Sequence, residues 1–147
     1  MGIINCASSN SCYRGLDYYE QKRVSKIKKI SATEYQSTVS GSDNYNVFLD
    51  ISHPRRSTCN CPLANGKRII CKHIVATYFS VVPNSAKDFI EEQDRLQEEY
   101  EEYQNQEYKN VIKCLNKMTK EELIQELISV FDYGPEWLYG DFVRRNL

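Results

Sequence analysis

Residues 59–73 read CNCPLANGKRIICKH, with Cys59 and Cys61 one residue apart and, nine residues on, Cys71 and His73 one residue apart. Thiolate and imidazole are the ligands Zn²⁺ prefers, and four of them close a tetrahedral structural site. The spacing limits how the chain can present them. In an extended strand residues i and i+2 point to one side, so Cys59 and Cys61 can face a single ion from a strand. In a helix residues two apart diverge by about 200°. Cys71 and His73 therefore cannot both sit inside a regular helix and share a metal. The spacing places Cys71 just before a helix and His73 in its first turn.

Between the two pairs, Asn65-Gly66 is a two-residue signal for a type I′ hairpin turn. An ideal hairpin there would oppose Cys61 to Ile70 and Cys59 to Lys72, and would turn Cys71 away from the earlier cysteines. Either the ladder breaks, with Pro62 as the breaker because it lacks an N–H, or a bulge corrects the parity.

The chain has six cysteines in 147 residues. The N-terminus MGIINCASSN lacks the basic and apolar regions of a secretory signal, and Cys6 stands where myristoylation wants Ser or Thr. A cytoplasmic location is expected, and in a reducing compartment clustered cysteines bind metal rather than pair as disulfides. No apolar run is long enough to span a membrane. Cys6, Cys12 and Cys114 read as ordinary thiols, and His53 as a loop residue.

The net charge of −1 conceals an asymmetry: residues 1–90 carry 12 Lys+Arg against 6 Asp+Glu, and residues 91–147 carry 7 against 14. The expected division is a zinc-finger domain with an N-terminal β-meander over 1–84, and a helical region over 85–147. Within the first, Gly15–Arg23 reads as a short helix. Val24–Ser31, Glu34–Ser40 and Tyr45–Ser52 read as strands, the last alternating Tyr45, Val47, Leu49 and Ile51 on one face. Short connections predict an antiparallel meander, covered by a helix over His73–Val82 that Pro83-Asn84 stops. Beyond it, Ala86–Lys117 reads as one long helix with an acidic side. Thr119-Lys120-Glu121-Glu122 is a capping box opening a second helix, and a last short helix follows Gly134-Pro135. The fold class is thus α+β: a small antiparallel sheet with a zinc site and a covering helix, then a C-terminal helical hairpin.

C-x-C, a spacer, then C-x-H resembles the SWIM-type zinc finger. The stretches RGLDYYEQKRV (14–24), VSGSDNYNVFLDI (39–51) and CKHIVATYF (71–79) are similar to bacterial SWIM proteins, and NKMTKEELIQELISVF (116–131) to the helical segment that often follows the finger. The resemblance covers most of residues 14–131 and carries the zinc ligands onto Cys59, Cys61, Cys71 and His73. One place departs from it: Lys22 stands where many relatives carry Gly. The resemblance implies a ββα-like zinc module that binds DNA or protein, without catalysis.

The residues agree on what is absent. Three cysteines and one histidine leave a zinc no open position for water. No Ser-His-Asp set, no Walker loop and no small-molecule substrate site is evident, so an enzyme is not expected. For nucleic acid, Lys22 and Arg23 with Lys26, Lys28 and Lys29 form one basic group; Arg55, Arg56, Lys67, Arg68 and Lys72 form another, and phosphate contacts from such side chains supply sequence-independent affinity. The alternative is a protein-interaction adaptor working through the acidic helical region, with Tyr100, Tyr103 and Tyr108 as interface anchors.

Overall fold

In the computed structural model, which describes residues 2–147, two short helices precede the sheet: α1 (Ile3–Cys6) and α2 (Ser9–Glu20). The helix expected over Gly15–Arg23 thus starts six residues earlier, because Ser8 caps it by accepting a hydrogen bond from the Ser11 N–H. Four strands follow, β1 (Val24–Lys29), β2 (Glu34–Ser40), β3 (Asn44–Asp50) and the two-residue β4 (Thr58–Cys59). They form one antiparallel sheet in sequence order, the expected meander with one strand added.

Alternation decides the faces. Ser37, Val39, Tyr45, Val47 and Leu49 point inward and are buried, while Gln36, Asn46, Thr38 and Phe48 point outward. Helix α3 (Lys72–Val81) covers the inner face with Ile74, Val75 and Phe79. Ile74 and Leu49 are fully buried; each such side chain contributes about 1.5–3 kcal/mol by leaving water. One polar pair crosses this layer: Ser37 and Thr77 share a 2.7 Å hydrogen bond between their hydroxyls. Behind α3 lies α2, so close at Gly15 that an added Cβ would stand 2.5 Å from Val75 Cγ1.

The sheet's edge is irregular in a useful way. Ser25 pairs with Thr38 and Lys28 with Gln36, so Lys26 and Ile27 together oppose Ser37 as a bulge, and Lys26 has a φ of 50°. Cross-strand partners share a face. Without the bulge Ile27 would oppose Gln36 on the outer surface; with it Lys28 does.

Helix α4 (Ser85–Leu115) buries Ala86 and Phe89 against the first core. Two compact units divide between Gln93 and Asp94. In the second, α5 (Lys120–Tyr133) opens on the expected capping box, both of whose hydrogen bonds are present. The last helix, α6 (Glu136–Asn146), follows Pro135 and packs Tyr139 and Phe142 around Phe131. Leu123, Ile124, Leu127 and Ile128 on α5 remain 38–46% exposed, as do Val111, Ile112 and Leu115 on α4 at 39–49%. No helix among the described residues is long and apolar enough to cross a membrane.

Candidate metal centre

Cys59 ends β4, which is held to β3 by pairing with Val47. Two residues on, Cys61 begins a turn in which its carbonyl accepts the N–H groups of both Ala64 and Asn65. The type I′ hairpin does not form. Gly66 has a φ of +69°, whereas Asn65 is not left-handed, and a type I′ turn needs both. The segment after it instead crosses to the N-terminus, where Ile70 bridges Ala7 in parallel. The parity conflict dissolves because no ladder joins the two cysteine pairs: the strand stops at Cys59, ahead of Pro62. Cys71 then caps α3 in extended conformation (φ −86°, ψ 169°), with His73 as the helix's second residue. This is the placement the spacing demands.

The loop ahead of β4 is held by a residue the sequence reading passed over. Asp50 is 1% exposed. Its carboxylate accepts from Ser52 Oγ at 2.8 Å and from the His53 N–H at 2.9 Å, and the Asp50 N–H donates to Ser57 Oγ. Burial pushes its carboxyl up, but these hydrogen bonds and the nearby His53 and Arg56 outweigh burial and hold it below the usual carboxylate range. The available signal was Asp followed two residues later by Ser ahead of His-Pro, the side-chain turn chemistry of loops.

The four ligand atoms lie within 4.8 Å of one another, and all four residues are buried. His73 Nδ1 is 3.6 Å from Cys59 Sγ and 3.9 Å from Cys71 Sγ. A tetrahedral zinc with ordinary Zn–S and Zn–N bonds separates S from N by roughly 3.6 Å, so the residues fit the ion through Nδ1. The His73 ring is fixed by stacking on Tyr45, centroids 4.5 Å apart at 20°. Cys71 is drawn well below the ordinary thiol range, first by the Cys59 thiol that donates to it, then by His73 and by backbone N–H groups at the start of α3. The same pairing, with burial, pushes Cys59 up. Zinc takes cysteine as thiolate, so loading the site displaces the thiol protons. Cys6, Cys12 and Cys114 stay outside the cluster as free thiols.

The basic residues divide. Lys26 and Lys28 line a groove of about 680 Å³ on the outer face of the sheet, together with Asn65 and Gly66, which lead into Lys67 and Arg68. Lys29 pairs with Tyr35 and sets its Nζ 5.9 Å from that ring. Arg55 and Arg56 form a 3₁₀ turn, with Arg56 3.7 Å from the Asp50 carboxylate. Lys72 lies elsewhere, at the start of α3, donating to Tyr18 Oη at 2.8 Å. Gln36, Thr38, Phe48 and Asn60, which the sequence reading did not single out, complete the groove.

Residues 45–81 match the family model of the SWIM zinc finger. No curated protein and no solved structure matches the chain. The chain therefore carries a SWIM zinc finger over residues 45–81, a site for one structural Zn²⁺ with Cys59, Cys61, Cys71 and His73 as its ligands.

Proposed function

We propose that this chain is a non-catalytic, zinc-stabilised nucleic-acid-binding module, and that it engages DNA on the outer face of its sheet. The observation that carries the reading is the groove there: Lys26 and Lys28 border it, side-chain amides of Gln36, Asn46 and Asn60 line it, and no carboxylate does. Lysines meet phosphates, amides meet base edges or sugars, and the half-buried Phe48 offers a stacking surface. Zinc supports this surface indirectly. Asn60 follows ligand Cys59, and its Oδ1 accepts the Asn46 N–H at 2.8 Å, tying the groove wall to the finger.

Binding to single- and double-stranded DNA across a salt series tests the reading. Affinity falls steeply as salt rises, and Lys26→Ala with Lys28→Ala weakens binding and flattens the salt slope by about 2. Absence of binding at low salt removes the reading.

One observation favours a protein partner instead. The half-exposed apolar stripes of α4 and α5, with Tyr100, Tyr103 and Tyr108 exposed at 58–67%, present aromatic and aliphatic anchors on an acidic helix. Capture of a partner that Leu123→Asp with Leu127→Asp abolishes, by a protein that binds no DNA, selects this reading.

A further inference from the structure

A second cavity, of about 440 Å³, lies beside the finger and is lined by different residues from the groove. We propose that it binds the phosphate of a nucleotide-sized ligand, with Arg14, Lys72 and the His73 Nε2–H as donors. Both cationic side chains line it; so do the zinc ligands Cys61 and Cys71, and no carboxylate does. A loaded Cys₃His zinc site carries one net negative charge, which these two cations outweigh. Arg23 adds to the positive field, its guanidinium 4.7 Å from the ring of Tyr18, another lining residue.

Two helices begin at this cavity. Ser8 caps the 12-residue α2, and Lys72 is the first residue of the 10-residue α3. Helix N-termini favour anions through their free N–H groups and the helix dipole. An independent observation points to a ligand. His73 is 3% exposed and lines the cavity, yet its Nε2 has no hydrogen-bond partner; among the described residues it is the buried side-chain nitrogen or oxygen so left. With Nδ1 facing the cysteine sulfurs and taking the metal, Nε2 must carry the proton. A metal-bound histidine ordinarily donates that proton to an acceptor, and leaving it unmet is costly.

Arginine, lysine and the imidazole N–H are all donors, and hydroxyls of Ser42 and Tyr45, 2.7 Å apart, can turn to donate. A phosphate presents acceptors only and matches this set. Pro62 and Leu63 add apolar lining suited to a sugar or base. The shared chemistry is a phosphate on a nucleotide, supplied either by a free mononucleotide or by the 5′ end of a strand.

The experiment titrates the zinc-loaded full chain with AMP and with adenosine, followed by calorimetry and by the ¹⁵N–¹H signal of His73 Nε2. AMP binds one to one and shifts that signal, and adenosine does not bind. Arg14→Ala and Lys72→Ala each weaken AMP roughly tenfold or more, with zinc content unchanged at one, and Arg14→Lys restores part of the affinity. A strand carrying a 5′-phosphate that binds more tightly than its 5′-hydroxyl counterpart, with the difference lost in Arg14→Ala, assigns the phosphate to a strand end. Equal binding of the two strands assigns it to the free nucleotide. Adenosine binding as well as AMP, an unmoved Nε2 signal with both AMP and the 5′-phosphorylated strand, or undiminished binding by Arg14→Ala overturns the proposal. The proposal stands apart from the groove, since loss of DNA affinity in the Lys26 and Lys28 variants leaves AMP binding intact.

Discussion

Cys59 Sγ and His73 Nδ1 lie 3.6 Å apart although they stand 14 positions apart in the sequence, with one at the end of a strand and the other in the first turn of a helix. That contact joins the sheet to the helix that covers it. Metal binding should therefore be coupled to folding in the first unit, because the donors converge only when β4 and α3 are both in place.

Removing the ion should unfold this region. Chelation is expected to lower the melting temperature and reduce the strand and helix signal in circular dichroism. Cys59→Ser or His73→Ala should bring zinc content, measured by mass spectrometry, below one per chain. Unchanged melting after complete chelation would contradict a structural metal. Because thiol protons must leave the cysteine ligands as zinc enters, zinc affinity should also weaken as pH falls.

Asp50 contributes a separate pH dependence. Its folded-state carboxyl titrates below the ordinary carboxylate range, held there by Ser52, His53 and Arg56 against the opposing effect of burial. A depressed folded value stabilises the protein above the unfolded carboxylate pKa, and that stabilisation disappears as pH falls through the folded value. Asp50→Asn should cost about 1–3 kcal/mol at neutral pH. In urea titrations the gap between wild type and variant should narrow below about pH 4. A gap of constant size at neutral and acid pH would show that Asp50 acts by shape alone.

Lys22 sits just past the end of α2 with a φ of 54°, a left-handed conformation that costs a residue with a Cβ about 1–2 kcal/mol. Helices commonly end with glycine in this conformation. Glycine would suit this geometry better than lysine does. Lys22→Gly should raise stability by about 1 kcal/mol, read as a higher denaturation midpoint. A lower midpoint would mean that the lysine side chain contributes more than its backbone costs.

Gly15 is the reverse case. A methyl group there would stand 2.5 and 2.6 Å from Val75 Cγ1 and Cβ and 3.1 Å from the Lys72 carbonyl oxygen. Val75 is short and fully buried, so α2 and α3 must separate to admit it. Gly15→Ala should destabilise by about 1–3 kcal/mol. Since α3 carries His73, zinc affinity should weaken too, by competition with a chelating dye. Full retention of both would mean that the two helices adjust without strain.

By itself the sequence determined the ligand set, because thiolate and imidazole chemistry combined with strand and helix periodicity admits few arrangements of Cys59, Cys61, Cys71 and His73. It determined β2 to the residue, the inward row of Tyr45, Val47 and Leu49, and the capping box at Thr119, since each depends on neighbours a few positions away. Local signals failed where distant partners compete. Asn65-Gly66 has the chemistry of a hairpin turn, but Ile70 is drawn to Ala7, and no ladder forms. Only the tertiary structure decided which cations share a surface. The bulge at Lys26-Ile27 shifts the register by one residue, placing Lys28 opposite Gln36 beside the groove, while α3 carries Lys72 to a different cavity. It also set His73 Nδ1 toward the sulfurs and left the buried Nε2 without a hydrogen-bond partner, which no spacing in the sequence expresses.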